Sequence, residues 1–302
     1  MQIIATVPFP LQQDTIRRIA SHPYVDALRF NTGARSDVPP LQTLVKLLNL
    51  VDSKPLWIDL KGRQLRINKW ADLKFDPIRL NHRVSVDLPA NVILRNGINE
   101  GFKLPITAVK GREVYVDIGQ STRFIVGRSQ AVNIHGDNLK IEGYFTDTDT
   151  AYIDAARKLG IHNYMLSFVE RKSDITNLLA RDPEANIVLK IESPKGLSFI
   201  ERLDLGNYDD IHLMAARDDL YVNLPDPLDV IDATRRIVEL DRDAILASRV
   251  LTSLIKSQNP SLGDISDLML AIKAGYKRIM LCDDLCSSEG FYDAMNYLIR
   301  ME

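Results

Sequence analysis

Short β-rich runs alternate with helix-spaced segments along nearly the whole chain, and this alternation is what most limits the fold. Strand-like runs at residues 2–7, 25–31 and 55–60 are separated by helical patterns at 12–21 and 41–50. A strand is apolar on one or both faces and short; a surface helix repeats its apolar residues every three or four positions, as Ile16 and Ile19 do. From about Leu65 the pattern breaks, and turn signals such as Arg95-Asn96-Gly97, Lys110-Gly111 and Ile118-Gly119 separate short strands. A helix at 146–159, with Thr146 or Asp147 as its cap and Gly160 as its stop, then restores the alternation. Strands follow at 163–169, 186–193, 211–216, 244–248 and 278–282, with helices at 174–180, 228–240, 265–274 and 290–299. Eight strand–helix units predict an α/β protein, a closed (β/α)8 TIM barrel. Its expected extent is 1–64 and 139–302, with a small all-β lid domain inserted after strand 3 at 65–138.

In such a barrel, chemistry gathers at the carboxyl ends of the strands. Polar residues collect there in this sequence: Arg29 and Asn31 share a face of the second strand, and Asp59 closes the third. The run from Asn186 to Ser193 is the most telling, because Val188, Lys190 and Glu192 fall on one face and Ile187, Leu189 and Ile191 on the other. An otherwise buried strand that ends in a lysine and a carboxylate must account for desolvating two charges. A structural ion pair is one account. An acid/base group beside a divalent-metal ligand is the other.

With 45% hydrophobic and 26% charged residues and a net charge of −2, the chain gives no electrostatic reason to bind nucleic acid or a membrane. No signal-peptide or membrane-spanning stretch is found, and Cys282 and Cys286 alone make neither a disulfide framework nor a zinc set. The expectation is a soluble cytoplasmic protein.

Over nearly its whole length the sequence resembles the pyruvate kinase family. The matching stretches are Arg29-Phe30-Asn31, Asp59-Leu60-Lys61-Gly62 with Arg66, Ser167-Phe168-Val169, Lys190-Ile191-Glu192, Ala216-Arg217-Asp218-Asp219-Leu220 and Ala247-Ser248, in the family's order. The family's carboxy-terminal domain has no counterpart. The resemblance implies that Glu192 and Asp219 hold Mg2+ or Mn2+, and that Lys190, Arg29 and Ser248 are catalytic. It also implies that Asn31, Asp59 and Leu60 bind a monovalent cation such as K+, and that Asp218, Asp219 and Ser248 receive the substrate carboxylate. Arg66 would meet nucleotide phosphates.

Departures lie mainly outside the matched metal and oxo-acid residues, and the nucleotide half is kept less well. Gly33 and Ala34 replace a serine and a histidine of the family, and Asn96 stands for an aspartate of the lid. Asp218 and Tyr221 replace glycines, Asn223 an acid and Arg249 a glutamine. The readings that follow are a kinase acting on phosphoenolpyruvate with ADP or ATP; a metal-dependent lyase or aldolase acting on pyruvate or another 2-oxo acid through an enolate; and a non-catalytic sensor or partner subunit. A homo-oligomer is compatible with each.

Overall fold

A computed structural model describes residues 1–33, 37–51, 53–96, 99–121, 123–208 and 210–301, with the backbone alone at 95, 96, 99 and 100. The chain divides into two units, Met1–Leu60 with Asp149–Glu302, and Lys61–Thr148.

The first unit is a closed barrel of parallel strands: β1 (Gln2–Thr6), β2 (Ala27–Asn31), β3 (Leu56–Leu60), β4 (Asn163–Leu166), β5 (Asn186–Ile191), β6 (Ile211–Ala216), β7 (Ile245–Ala247) and β8 (Arg278–Leu281). Each pairs with its neighbours in sequence order, and β8 closes on β1 with Ile3 opposite Ile279. Closure leaves these strands no edge, which suits their apolar character on both faces. Inside, Ile4, Ala27, Met165, Val188, Met214, Ile245, Ala247 and Met280 form one buried cluster, with Trp57 against it. Val188 belongs to that cluster, so Lys190, two residues on, lies on the same inward face nearer the carboxyl end.

Helices α1 (Gln13–Ala20), α2 (Pro40–Leu48), α3 (Asp147–Lys158), α4 (Lys172–Leu179), α5 (Pro194–Ile200), α6 (Arg217–Asn223), α7 (Asp229–Leu240), α8 (Leu262–Ala274), α9 (Asp283–Ser287) and α10 (Gly290–Arg300) complete the element order. Their packing follows from their apolar stripes. α3 buries Tyr152, Ile153, Ala155 and Ala156, and Tyr152 lies 5.7 Å from Phe30 of β2, centroid to centroid. At its start α8 is capped by Ser261, whose Oγ accepts from the Asp264 N–H at 3.0 Å, and it stops at Gly275, where φ is 118°. Gly196 of α5 admits a close approach: a Cβ there would lie 2.9 Å from the Val169 carbonyl oxygen.

The second unit has a six-stranded antiparallel sheet, ordered Leu65–Arg66, Ala131–His135, Ala90–Asn96, Asn99–Lys110, Glu113–Val116 and Ile78–Arg79. Ile67, Ile78, Leu80, Val92, Leu94, Val114 and Val132 are in its core. Lys140–Ile141, which the sequence reading gave to the barrel, pairs with Val84–Ser85 and so belongs here. The unit therefore runs from Lys61 to Thr148, wider than the expected 65–138.

Several strands are shorter than their sequence patterns. β4 stops at Leu166, β5 at Ile191 and β7 at Ala247, so Ser167, Glu192 and Ser248 lie just past strand ends. Two short helices, α5 and α9, were not expected, whereas α6 begins at the helix start expected near Asp218 and Asp219. Among the described residues, no helix is long and apolar enough to cross a membrane.

Candidate active site

Four barrel strands deliver one buried ionic cluster. Register places Asn31 of β2 opposite Asp59 of β3. Asp59, wholly buried, takes both ends of the Arg29 fork: Nε donates to Oδ2 at 2.9 Å, and Nη2 donates to the same oxygen. Arg29 Nη1 donates to Thr6 Oγ1 at 3.3 Å, and that hydroxyl donates to the Leu281 carbonyl at 2.7 Å, tying β2 to β1 and β8. From β5, Lys190 Nζ lies 3.3 and 3.4 Å from the two Asp59 oxygens and 3.1 Å from Glu192 Oε1. Its shortest bond, 2.8 Å, is donated to Ser167 Oγ after β4.

Burial of these groups sets their protonation. Desolvation works against charge on Lys190, yet Asp59 and Glu192 outweigh it and its pKa is raised, so the ammonium is retained. The same contest, with Asp59 as partner, raises Arg29. Glu192 goes the other way. Burial first, with Asp219 and Asp59 adding to it, pushes its carboxyl up to about 7, against the opposing pull of Lys190. Such a network is a poor source of stability, because desolvating its charges costs as much as their attraction returns.

Just above the cluster, backbone and amide groups fix the strand ends. Glu192 Oε2 accepts the Phe168 N–H at 2.6 Å, and Phe168 holds a left-handed φ of 53°. Asn223 Nδ2 donates to the carbonyls of Glu192 at 2.9 Å and Asp219 at 2.8 Å. Asp219, half-buried in the first turn of α6, contributes charge that both Glu192 and Lys190 feel. Neighbouring Arg217 pairs with Asp267 at 2.6 Å and donates to the Ser248 carbonyl at 2.8 Å. Asp218 accepts from Arg249 Nε.

Of the expected site residues, Arg29, Asp59, Lys190 and Glu192 are in direct contact, with Asp219 beside them in charge. Asp218 and Ser248 stand on the adjoining strand ends, bridged by their neighbours Arg217 and Arg249. Two of the expected cation ligands are engaged: Asn31 Oδ1 accepts the Gly33 N–H at 3.0 Å, and the Leu60 carbonyl accepts the Ser167 N–H at 3.2 Å. Arg66 belongs to the second unit, where its guanidinium donates to Gln64 Oε1 at 2.8 Å and to the Ser129 carbonyl at 2.6 Å. Ala34 and the side chain of Asn96 lie outside the described residues.

Sequence reasoning gave no site role to Thr6, Ser167, Arg217 or Asn223, although Ser167 and Arg217 fall in stretches that carry the resemblance and Asn223 is among the departures. Ser167 had a signal, since it falls at a strand end beside Lys190. Asn223 is one turn after Asp219, a relation visible only once α6 is known. A second constellation, His212, Asp241 and Asp243, brings its candidate ligand atoms within 4.8 Å of one another. Asp241 there already accepts the N–H groups of Leu213 and Asp243, and Arg278 lies 3.5 Å from Asp243, so the group serves as a local cap.

A parallel eight-stranded barrel with a lysine, an arginine and carboxylates converging at its carboxyl end, and a β unit inserted after the third strand, defines the class: an α/β barrel with a buried ionic site at the carboxyl ends of its strands. Comparison with known proteins then narrows it. The pyruvate kinase barrel-domain family matches residues 86–295, and the chain belongs to that family. A pyruvate kinase of Borreliella burgdorferi is 24% identical over 291 residues, 85% of this chain and 58% of its own length. One from Thermoplasma acidophilum is 24% identical over 94% of this chain and 54% of its own. One from Agrobacterium vitis is 27% identical over 99% and 67%. The chain thus spans a little over half the length of the first two.

Proposed function

We propose that the chain is a pyruvate-kinase-like phosphotransferase, moving a phosphoryl group between phosphoenolpyruvate, or a related enol phosphate, and a nucleotide diphosphate. The observation that carries this reading is the buried Lys190 ammonium, kept charged by Asp59 and Glu192 at the carboxyl end of the barrel. A cation fixed in a dry site stabilises charge that develops nearby far better than one in water.

The donor set fits a divalent cation. Glu192 and Asp219 would hold Mg2+ or Mn2+, since carboxylates with added oxygen ligands suit a hard cation; burial raises Glu192 first, and the nearby Asp219 and Asp59 charges add to it. When bound, such an ion polarises the oxygen of the oxo-acid carbonyl or enolate. Lys190 neutralises charge on the transferring phosphoryl group or the enolate oxygen. Ser167 fixes the ammonium in place, and Arg29, oriented by Asp59 and Thr6, offers phosphate its remaining N–H bonds. Ser248 and the backbone at Asp218 and Asp219 receive the carboxylate end.

A second reading is a lyase or aldolase that forms an enolate from pyruvate or another 2-oxo acid without nucleotide. It is favoured by the placement of the groups: the metal and oxo-acid residues all belong to the barrel unit, whereas Arg66 is held by partners within the other unit.

A phosphorus NMR time course with phosphoenolpyruvate, ADP, magnesium and potassium separates the two. ATP formed by the wild type and not by Lys190→Met supports the kinase. Absence of ATP from both, with deuterium entering the pyruvate methyl group in the wild type alone, supports the lyase.

A further inference from the structure

Three departures from the family pattern touch one another at the mouth of the barrel. Arg249 Nε donates to Asp218 Oδ1, and the Arg249 guanidinium carbon lies 5.5 Å from the centre of the Tyr221 ring. Asp218 directly precedes Asp219, and Arg249 directly follows Ser248. The pair therefore borders the place proposed for the oxo-acid end of the substrate.

The backbone that presents Arg249 is held in an uncommon shape. Ser248 has φ 72°, Arg249 57° and Leu251 52°, all left-handed and none of them glycine. Side-chain-bearing residues keep such angles only where their surroundings fix them. Arg217 supplies the fixing: anchored on Asp267 at 2.6 Å, it donates to the Ala247 carbonyl at 3.4 Å and the Ser248 carbonyl at 2.8 Å.

The cations at this end of the barrel differ in what they can still do. Lys190 and Arg29 are buried among partners within the barrel, and Arg217 is spent on carbonyls and Asp267. Arg249 keeps 47% of its side chain exposed and Asp218 keeps 39%. An ion pair that exposed contributes little and opens readily. Tyr221 under the guanidinium would keep its plane oriented once Asp218 leaves, and a planar fork of donors matches a carboxylate.

We propose that Arg249 is a specificity-determining residue that receives the distal carboxylate of a 2-oxo dicarboxylic acid, in exchange for Asp218. The inference rests on the oxo-acid site proposed above, which fixes the other end of the same molecule. A carboxylate is preferred to a nucleotide phosphate because Arg249 sits on the strand end that carries Ser248, beside Asp219, whereas Arg66 belongs to the other unit.

The test is calorimetric titration, in magnesium, of pyruvate, 2-oxopentanoate, 2-oxoglutarate and ADP into the wild type, Arg249→Gln and Asp218→Asn. The two five-carbon acids differ only in the distal carboxylate. The wild type is expected to bind 2-oxoglutarate about tenfold or more tighter than 2-oxopentanoate, the effect of one charge-assisted bidentate contact. Arg249→Gln abolishes that preference and leaves pyruvate binding unchanged; Asp218→Asn, which removes the competing charge, strengthens 2-oxoglutarate binding. A preference that survives Arg249→Gln, an equal loss for every acid, or a loss confined to ADP overturns the inference. A wild type that binds pyruvate but does not prefer the diacid overturns this inference alone; one that binds no oxo acid overturns the oxo-acid reading with it.

Discussion

Lys190 Nζ lies closer to the Ser167 hydroxyl, at 2.8 Å, than to either carboxylate around it, Glu192 at 3.1 Å or Asp59 at 3.3 Å. Ser167 in turn donates to Asp59 Oδ1 at 3.3 Å, so the hydroxyl relays between a cation and an anion. Removing it leaves the ammonium charged but free to tilt between two carboxylates. Ser167→Ala is therefore expected to lower kcat about tenfold, roughly 1.4 kcal/mol of barrier, with KM for the oxo acid nearly unchanged. Steady-state kinetics of the variant check it, and a rise in KM alone would assign Ser167 to binding.

Asn223 joins the backbones of the two proposed metal ligands through a single amide nitrogen. Asn223→Ala leaves both carbonyls without that donor, a loss of about 1–3 kcal/mol if they stay dry. Manganese binding, followed by electron paramagnetic resonance, should weaken about tenfold, and thermal unfolding should fall by a few degrees. Lower stability with unaltered manganese affinity would reduce Asn223 to a structural brace.

Glu192 sets a pH dependence whose sign is fixed by the direction of its shift. Its carboxyl is raised from 4.5 to about 7, chiefly by burial, so the metal-free folded state holds a proton there that the unfolded chain has released. With a chelator present, this group's contribution is full below pH 4.5 and is lost as pH rises through 7. Glu192→Gln removes that part of the slope. Metal binding runs opposite, since the ion requires the carboxylate: affinity climbs with pH up to about 7 and levels off above it. Denaturation in chelator and manganese titration, each at pH 5 and 8, check both signs.

Asp59 is neutralised by Arg29 and Lys190 before any monovalent ion is considered. Asn31 and Leu60, its expected co-ligands, are bonded to Gly33 and Ser167. Replacing potassium by tetramethylammonium at constant ionic strength is expected to leave the rate unchanged. Strict dependence on potassium would show that these oxygens turn toward an ion in the working enzyme.

The barrel was legible because each strand is a short apolar run with a polar residue at its carboxyl end, and Lys190 with Glu192 could be read from strand alternation alone. The short helices were not. α5 and α9 have seven and five residues, too few to show a helical period. Ser193-Pro194 was the readable sign for α5, a cap followed by proline at the first position, with Ser193 Oγ accepting the Gly196 N–H at 3.1 Å. The contact between Asp218 and Arg249 had no sequence signal, since it depends on β6 and β7 being neighbours. Arg29 and Asp59 form an ion pair between neighbouring strands, and the buried lysine sharing the same carboxylate extends that pair into a larger cluster.

That sharing makes Asp59 the residue on which the cluster depends. It is the carboxylate against which Arg29 and Lys190 are both buried, and without it two cations face each other in a dry interior, with Lys190 left to Glu192. Asp59→Asn keeps the shape and removes the charge. Uncompensated buried charge costs on the order of 3–5 kcal/mol, a large share of the stability of an ordinary domain. Since Asp59 is the first of the charges that raise Lys190, the lysine pKa should also fall in the variant. Thermal unfolding is expected to show a clear loss of stability, and the pH–rate profile to lose activity at lower pH than the wild type as Lys190 deprotonates. An Asp59→Asn protein as stable as the wild type, with an unmoved alkaline limb, would mean that the two cations are held by other groups and that the network is not organised around Asp59.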